Sequence, residues 1–164
     1  MKKIKFLLLF SLIATMSCAQ KSPRQQAEGT IDGVKIAIDY GAPSVKGRTV
    51  WGGLEKYGKV WRAGANENTT ISFDKAVTVN GNVLAAGKYG FFMIPNESGD
   101  WTIIFNKKND GWGAYSYKEA EDALRFNISP EFGDENQEQL FYGIMDTILF
   151  AWEKVKINIT VAAK

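Results

Sequence analysis

The sequence predicts an all-β domain, most simply an antiparallel β-sandwich, with a β-barrel as the alternative and at most one short helix. Three observations carry this expectation. Apolar and polar residues alternate with period two in several stretches, the mark of a strand with one buried face. Short β-type segments recur about every ten residues between Gly, Asn, Asp and Pro. Only residues 117–124, through Lys118-Glu119-Ala120-Glu121, offer a helical turn.

The first strand is read at 34–40, where Val34, Ile36, Ile38 and Tyr40 alternate with Lys35, Ala37 and Asp39, and Gly41-Ala42-Pro43-Ser44 ends it. Further strands are read at 69–73, 76–80, 88–94, 101–106, 123–128, 139–145, 147–152 and 154–162. Asn80-Gly81 between two Val-rich runs is a hairpin signal, because both residues tolerate the positive φ of a type I′ turn. Phe91-Phe92-Met93-Ile94 is apolar on both faces, as a central strand covered from each side requires. In the closing strand Val155, Ile157, Ile159 and Val161 face one way, while Lys154 and Lys156 on the other face discourage edge pairing.

The chain divides into a signal peptide at 1–19, a flexible tether at 20–30 and a single sandwich domain at 31–164. Residues 1–5 carry three lysines and no acid, and 6–14 is an almost unbroken apolar run, too short to span a bilayer and of the length of an export signal. Ser17-Cys18-Ala19 places small residues for cleavage before Gln20. A lipid anchor at Cys18 is the alternative. Both readings place the domain outside the cytoplasm, in the periplasm or at the cell surface. Residues 20–29 hold no apolar side chain larger than Ala or Pro, hence the tether.

A chain of 164 residues suffices for one core and is too short for a TIM barrel. It has no histidine, which excludes a Ser-His-Asp triad, a Cys-His dyad and a histidine-ligated zinc. Its one cysteine, Cys18, is removed or acylated with the leader, so no thiol serves a disulfide, a metal or a nucleophile. Losing Lys2, Lys3 and Lys5 from 20 basic residues leaves 17 against 18 acidic ones, a net charge of −1. No basic surplus remains to bind nucleic acid. No cofactor motif is present, and Asp134-Glu135-Asn136-Gln137-Glu138 reads as a solvated turn, since its spacing does not match a calcium loop.

The densest polar constellation spans 46–70. Lys46, Arg48, Arg62, Asn66 and Glu67 are interleaved with Trp51, Tyr57 and Trp61 and with five glycines. Glycine-rich loops that mix aromatics with charged side chains are common binding surfaces on a rigid scaffold. Arg48 and Arg62 suit bidentate contacts to a carboxylate or phosphate. An Arg62–Glu67 ion pair that merely locks the loop is the competing reading. Trp112-Gly113-Ala114-Tyr115 forms a second aromatic loop; Trp112 and Tyr115 either stack on sugar rings or fold back to cap the core.

Pro43-Ser44-Val45-Lys46-Gly47-Arg48, followed by Tyr57-Gly58-Lys59-Val60-Trp61-Arg62-Ala63-Gly64-Ala65-Asn66-Glu67, resembles the family called domain of unknown function 2911. Leu84-Ala85-Ala86-Gly87-Lys88-Tyr89, the 101–106 stretch and Trp112-Gly113-Ala114-Tyr115 continue the likeness across 34–162. The resemblance implies an exported, β-rich bacterial protein, and it carries over no catalytic residue. Ala63 stands where the family pattern has threonine, which removes any hydroxyl role there.

Three functions follow from these residues. The first is a non-catalytic binding module for a small polar ligand or glycan, using Lys46, Arg48, Arg62, Asn66 and Glu67 flanked by Trp61, Trp112 and Tyr115. The second is a hydrolase or lyase with Glu67 as acid or base beside Arg62. The third is a structural or protein-interaction module.

Overall fold

The computed structural model describes residues 21–164; the segment read as a signal peptide, 1–19, and Cys18, read as the alternative anchor, lie outside them. In chain order the strands are β1 Arg24–Ile31, β2 Val34–Gly41, β3 Thr70–Phe73, β4 Val77–Val79, β5 Asn82–Leu84, β6 Gly87–Ile94, β7 Trp101–Asn106, β8 Asp122–Ile128, β9 Glu131–Ile144, β10 Ile148–Ile159 and β11 Val161–Ala163. Six of them form one antiparallel sheet in the order β1-β2-β3-β6-β7-β8. A β9–β10 hairpin and a three-stranded β11-β4-β5 sheet supply the opposing side of the core. The sheets do not close into a barrel, and the arrangement is sandwich-like. The helical turn is a single 3-10 turn at Glu119–Glu121. No helix of the described residues is long and apolar enough to cross a membrane.

Period-two patterning places the core. Ile36, Ile38 and Tyr40 of β2, Ile71 and Phe73 of β3, and Val155, Ile157 and Ile159 of β10 are all buried on facing sides. Trp101, Trp152, Phe91, Phe105 and Phe150 fill the space between them. Phe92 and Ile104 point out of the large sheet and are nevertheless buried. The segment after β7 folds back over them, with the Tyr117 ring 5.3 Å from that of Phe92. Asn106 pins this return by donating its amide to Asp122 Oδ1 at 2.7 Å and to the Lys118 carbonyl at 3.0 Å. Asn80 and Gly81 both take positive φ between β4 and β5, as the hairpin signal requires.

Two expectations are corrected. Most of the segment read as a tether, 20–30, is β1, paired residue for residue with β2 from Arg24↔Gly41 to Ile31↔Val34. An edge strand is held by its backbone ladder, to which hydropathy is blind. Small inward side chains even suit this position: a Cβ at Gly29 would stand 2.6 Å from Ile144 Cγ2 of β9. The acidic run at 134–138 likewise lies within β9, which starts eight residues before the strand read at 139 and is exposed along that extension. β10 runs unbroken through Glu153, which takes φ 56° where the register with β9 shifts.

Candidate functional site

The 61–67 block begins on the large sheet and then leaves it. Trp61 exchanges both backbone hydrogen bonds with Met93, at 2.8 and 2.9 Å, and the Phe91 amide donates to the Thr69 carbonyl at 2.8 Å. Residues 62–68 are thus an excursion between two adjacent rungs of β6. Because Trp61 is in register with inward-facing Met93, its ring enters the core and is only 3% exposed. It stacks on Trp152 at 5.6 Å and 21° and donates Nε1–H to the Gly64 carbonyl at 3.0 Å. Trp61 is therefore a core residue and cannot flank a ligand.

The rest of the excursion is equally constrained. Tyr142 and Thr69 hydroxyls both donate to the Ala63 carbonyl, at 2.7 and 3.1 Å. Burial pushes the Tyr142 phenol well above its usual pKa, so it remains a donor. A Cβ on Gly64 would lie 2.5 Å from Thr69 Oγ1, so only glycine fits. This matched block is a folding element. Residues 22–161 match the model of the family described as "Protein of unknown function (DUF2911)".

The chain belongs to the DUF2911 family. No curated protein and no solved structure matches it. What the DUF2911 block displays to solvent comes from its far end, where it is joined to the second aromatic loop. Asn68 N–H donates to the Gly111 carbonyl at 3.0 Å and Gly113 N–H to the Asn66 carbonyl at 2.9 Å, so that Glu67 and Trp112 face each other as an antiparallel bridge. The N-terminal segment is laced onto the same junction. Asn66 donates its amide to the Ser22 carbonyl at 3.2 Å, and Arg24, paired with Asp39, donates to the Asn68 carbonyl at 2.9 Å.

Arg62 and Glu67 are not paired with each other. The Glu67 carboxylate accepts from Lys21 Nζ at 3.2 Å, and the same ammonium lies 5.1 Å from the centroid of the Trp112 ring. Its own backbone amide, and then Lys21, hold the Glu67 carboxyl below the usual range. It is a weak base and a poor proton donor near neutrality. Trp112 is 52% and Tyr115 92% exposed, so the loop does not cap the core. Arg62 runs half-buried towards Gly113, with its Nε unpartnered among the described residues.

Lys46 and Arg48 sit across a cleft of about 350 Å³ from this junction. Lys46 and Gly47 both take positive φ, a tight turn that β9 holds in place: Glu138 accepts the Lys46 amide at 2.9 Å through Oε1. Arg48 is fixed by donating Nε to the Val45 carbonyl at 3.1 Å and one Nη to the Ser44 carbonyl at 2.6 Å. The polar lining consists of Lys21, Ser22, Ser44, Lys46, Arg48 and Gln139, without an acidic side chain. Lys21 belongs both to this cleft and to the Glu67–Trp112 rim, and it joins the two.

The sequence reading missed Lys21, Ser22 and Gln139, the first two because the segment looked like a tether and the third because it lies about ninety residues away in the chain. Glu55 sits in the turn bridged to Trp51, where burial raises its carboxyl to about 7 against the opposing pull of Arg62 and Arg48. Among the described residues no cluster of His, Cys, Asp and Glu is arranged to hold a metal ion.

Proposed function

We propose that this DUF2911 domain is an exported, non-catalytic binding module, active in the periplasm or at the cell surface, whose ligand is a small polar molecule or glycan bearing a negative charge. The observation that carries this reading is the cleft in which Lys21, Lys46 and Arg48 converge with neutral Ser22, Ser44 and Gln139 and no lining acid. Its size lies within the range of small-ligand pockets. Arg48 is held in place beforehand by two backbone carbonyls, so little side-chain entropy is lost on binding. The Trp112 ring on the rim offers a flat face beside the charged cleft.

Binding is preferred to acid–base turnover because Glu67, the carboxylate named for that role, is exposed and held ionised by its own amide and Lys21. Export rests on the lysine-rich, then apolar, start of the sequence, with a lipid anchor at Cys18 as its variant form. The test is a titration with phosphate, sulfate and galacturonate, followed by NMR at Lys46 and Arg48 and by calorimetry. Saturable shifts at both residues are expected, with binding lost in a Lys46→Ala/Arg48→Ala double variant whose NMR spectrum shows it folded. If no anion perturbs either residue, the proposal fails.

A further inference from the structure

A second cleft, of about 470 Å³, lies on the other side of the 46–48 turn, and Arg48 lines both. Its construction differs from that of the first. Trp51, Tyr57 and Phe132 supply aromatic surface, and Glu153 and Lys154 supply an acceptor and a donor. Phe132 is 66% exposed although it sits within β9. The Tyr57 ring is laid across Gly52, where a Cβ would stand 2.7 Å from Tyr57 Cε2, so glycine at 52 is what allows the ring to take this place. Trp51 is nine-tenths buried and packs edge-on against Trp61, Trp101 and Trp152, so Tyr57 and Phe132 are the rings a ligand can reach. Glu153 is held at φ 56° on the irregular part of the β9–β10 ladder, a backbone region that is costly for a residue other than glycine.

Two aromatic rings beside a carboxylate and an ammonium match the chemistry of a pyranose, which has apolar C–H faces and a rim of hydroxyls that both donate and accept. The first cleft has no such rings in its lining and reads charge. We infer that the two clefts are adjoining subsites that meet at Arg48, and that the ligand is an acidic oligosaccharide of two or more units. One unit presents its carboxylate or sulfate to Lys46 and Arg48, and the next lays its ring against Tyr57 and Phe132. This inference rests on the binding function proposed for the first cleft and extends it to a second unit.

Calorimetry on the full-length protein with galacturonate, its trimer, a mannuronate trimer and a hyaluronan tetrasaccharide tests it. At least one oligomer is expected to bind about tenfold tighter than its monosaccharide, the scale of one well-placed ring contact. Phe132→Ala, at an exposed side chain, should abolish that gain while leaving the melting temperature and the phosphate-induced shifts at Lys46 and Arg48 unchanged. Tyr57→Phe should retain it. Equal affinity for monomer and oligomer, with the Lys46 and Arg48 shifts intact, overturns the second subsite and leaves the first cleft standing. A gain that survives Phe132→Ala but disappears in Trp112→Ala also overturns it, by moving the second unit to the rim. Absence of any response at Lys46 and Arg48 defeats both readings together.

Discussion

Trp61 and Trp112 open two loops of the same appearance, each a tryptophan followed by small residues and polar groups, and the fold uses them in opposite ways. Trp61 is on a rung of the large sheet opposite an inward residue, so its side chain is committed to the core. Trp112 is paired with Glu67 at the junction of two loops that have already left the sheet, and its ring stays in solvent. An aromatic residue in a glycine-rich loop is thus no evidence of a binding surface until its backbone register is known. Glu55 and Glu67 repeat the contrast: burial raises one carboxyl to about 7, while an amide and a lysine depress the other.

The sharpest way to break the comparison is to truncate both rings. Trp61→Ala should cost about 3–5 kcal/mol and leave little folded protein. Trp112→Ala should change stability by no more than about 0.5 kcal/mol. Parallel thermal and urea melts decide this, and similar losses in the two variants would refute it.

Next in size, Tyr142→Phe removes the phenol that donates to the Ala63 carbonyl, and it should cost about 1–2 kcal/mol by urea unfolding at neutral pH. That loss would show that the excursion is held from the opposite sheet.

Glu55→Gln sharpens the carboxylate contrast. Between its ordinary value of 4.5 and about 7, the folded protein keeps the Glu55 proton that the unfolded chain releases, so stability falls as pH rises through this window. The variant should lose that fall and be more stable above neutral pH by about 1–2 kcal/mol, a figure already discounted for the group's partial exposure. A wild-type stability that rose over the same interval would contradict the assignment.

Glu67→Gln marks the smallest effect. With its carboxylate exposed and paired to Lys21 at the surface, the melting temperature should not change. The Trp112 fluorescence should shift as Lys21 is released from the ring. A large drop in melting temperature would place Glu67 with the folding residues.

Much of the scaffold was legible from side-chain pattern. β2 and the inward residues of β10 match the alternation that predicted them, β6 matches the run apolar on both faces, and the Asn80-Gly81 turn followed from φ alone. β1 was not legible, because Arg24, Gln26 and Glu28 have no hydropathic signal and the strand exists through its ladder to β2. The loop positions of Lys46, Arg48 and Glu67 were readable as a polar constellation; their distribution over a cleft and its rim was not. Lys21, which links those parts, comes from a segment whose composition argues for no structure at all.

By itself the sequence determined the all-β class, the inward faces of the long strands and one hairpin turn, because period and permitted φ are local properties of neighbouring residues. Only the tertiary structure decided that Trp61 is core and Trp112 is rim, that Glu67 pairs with Lys21 instead of Arg62, and that Arg48 stands between two clefts. These depend on strand register and on contacts across tens of residues. A shift of one residue turns every side chain of a strand to the opposite face.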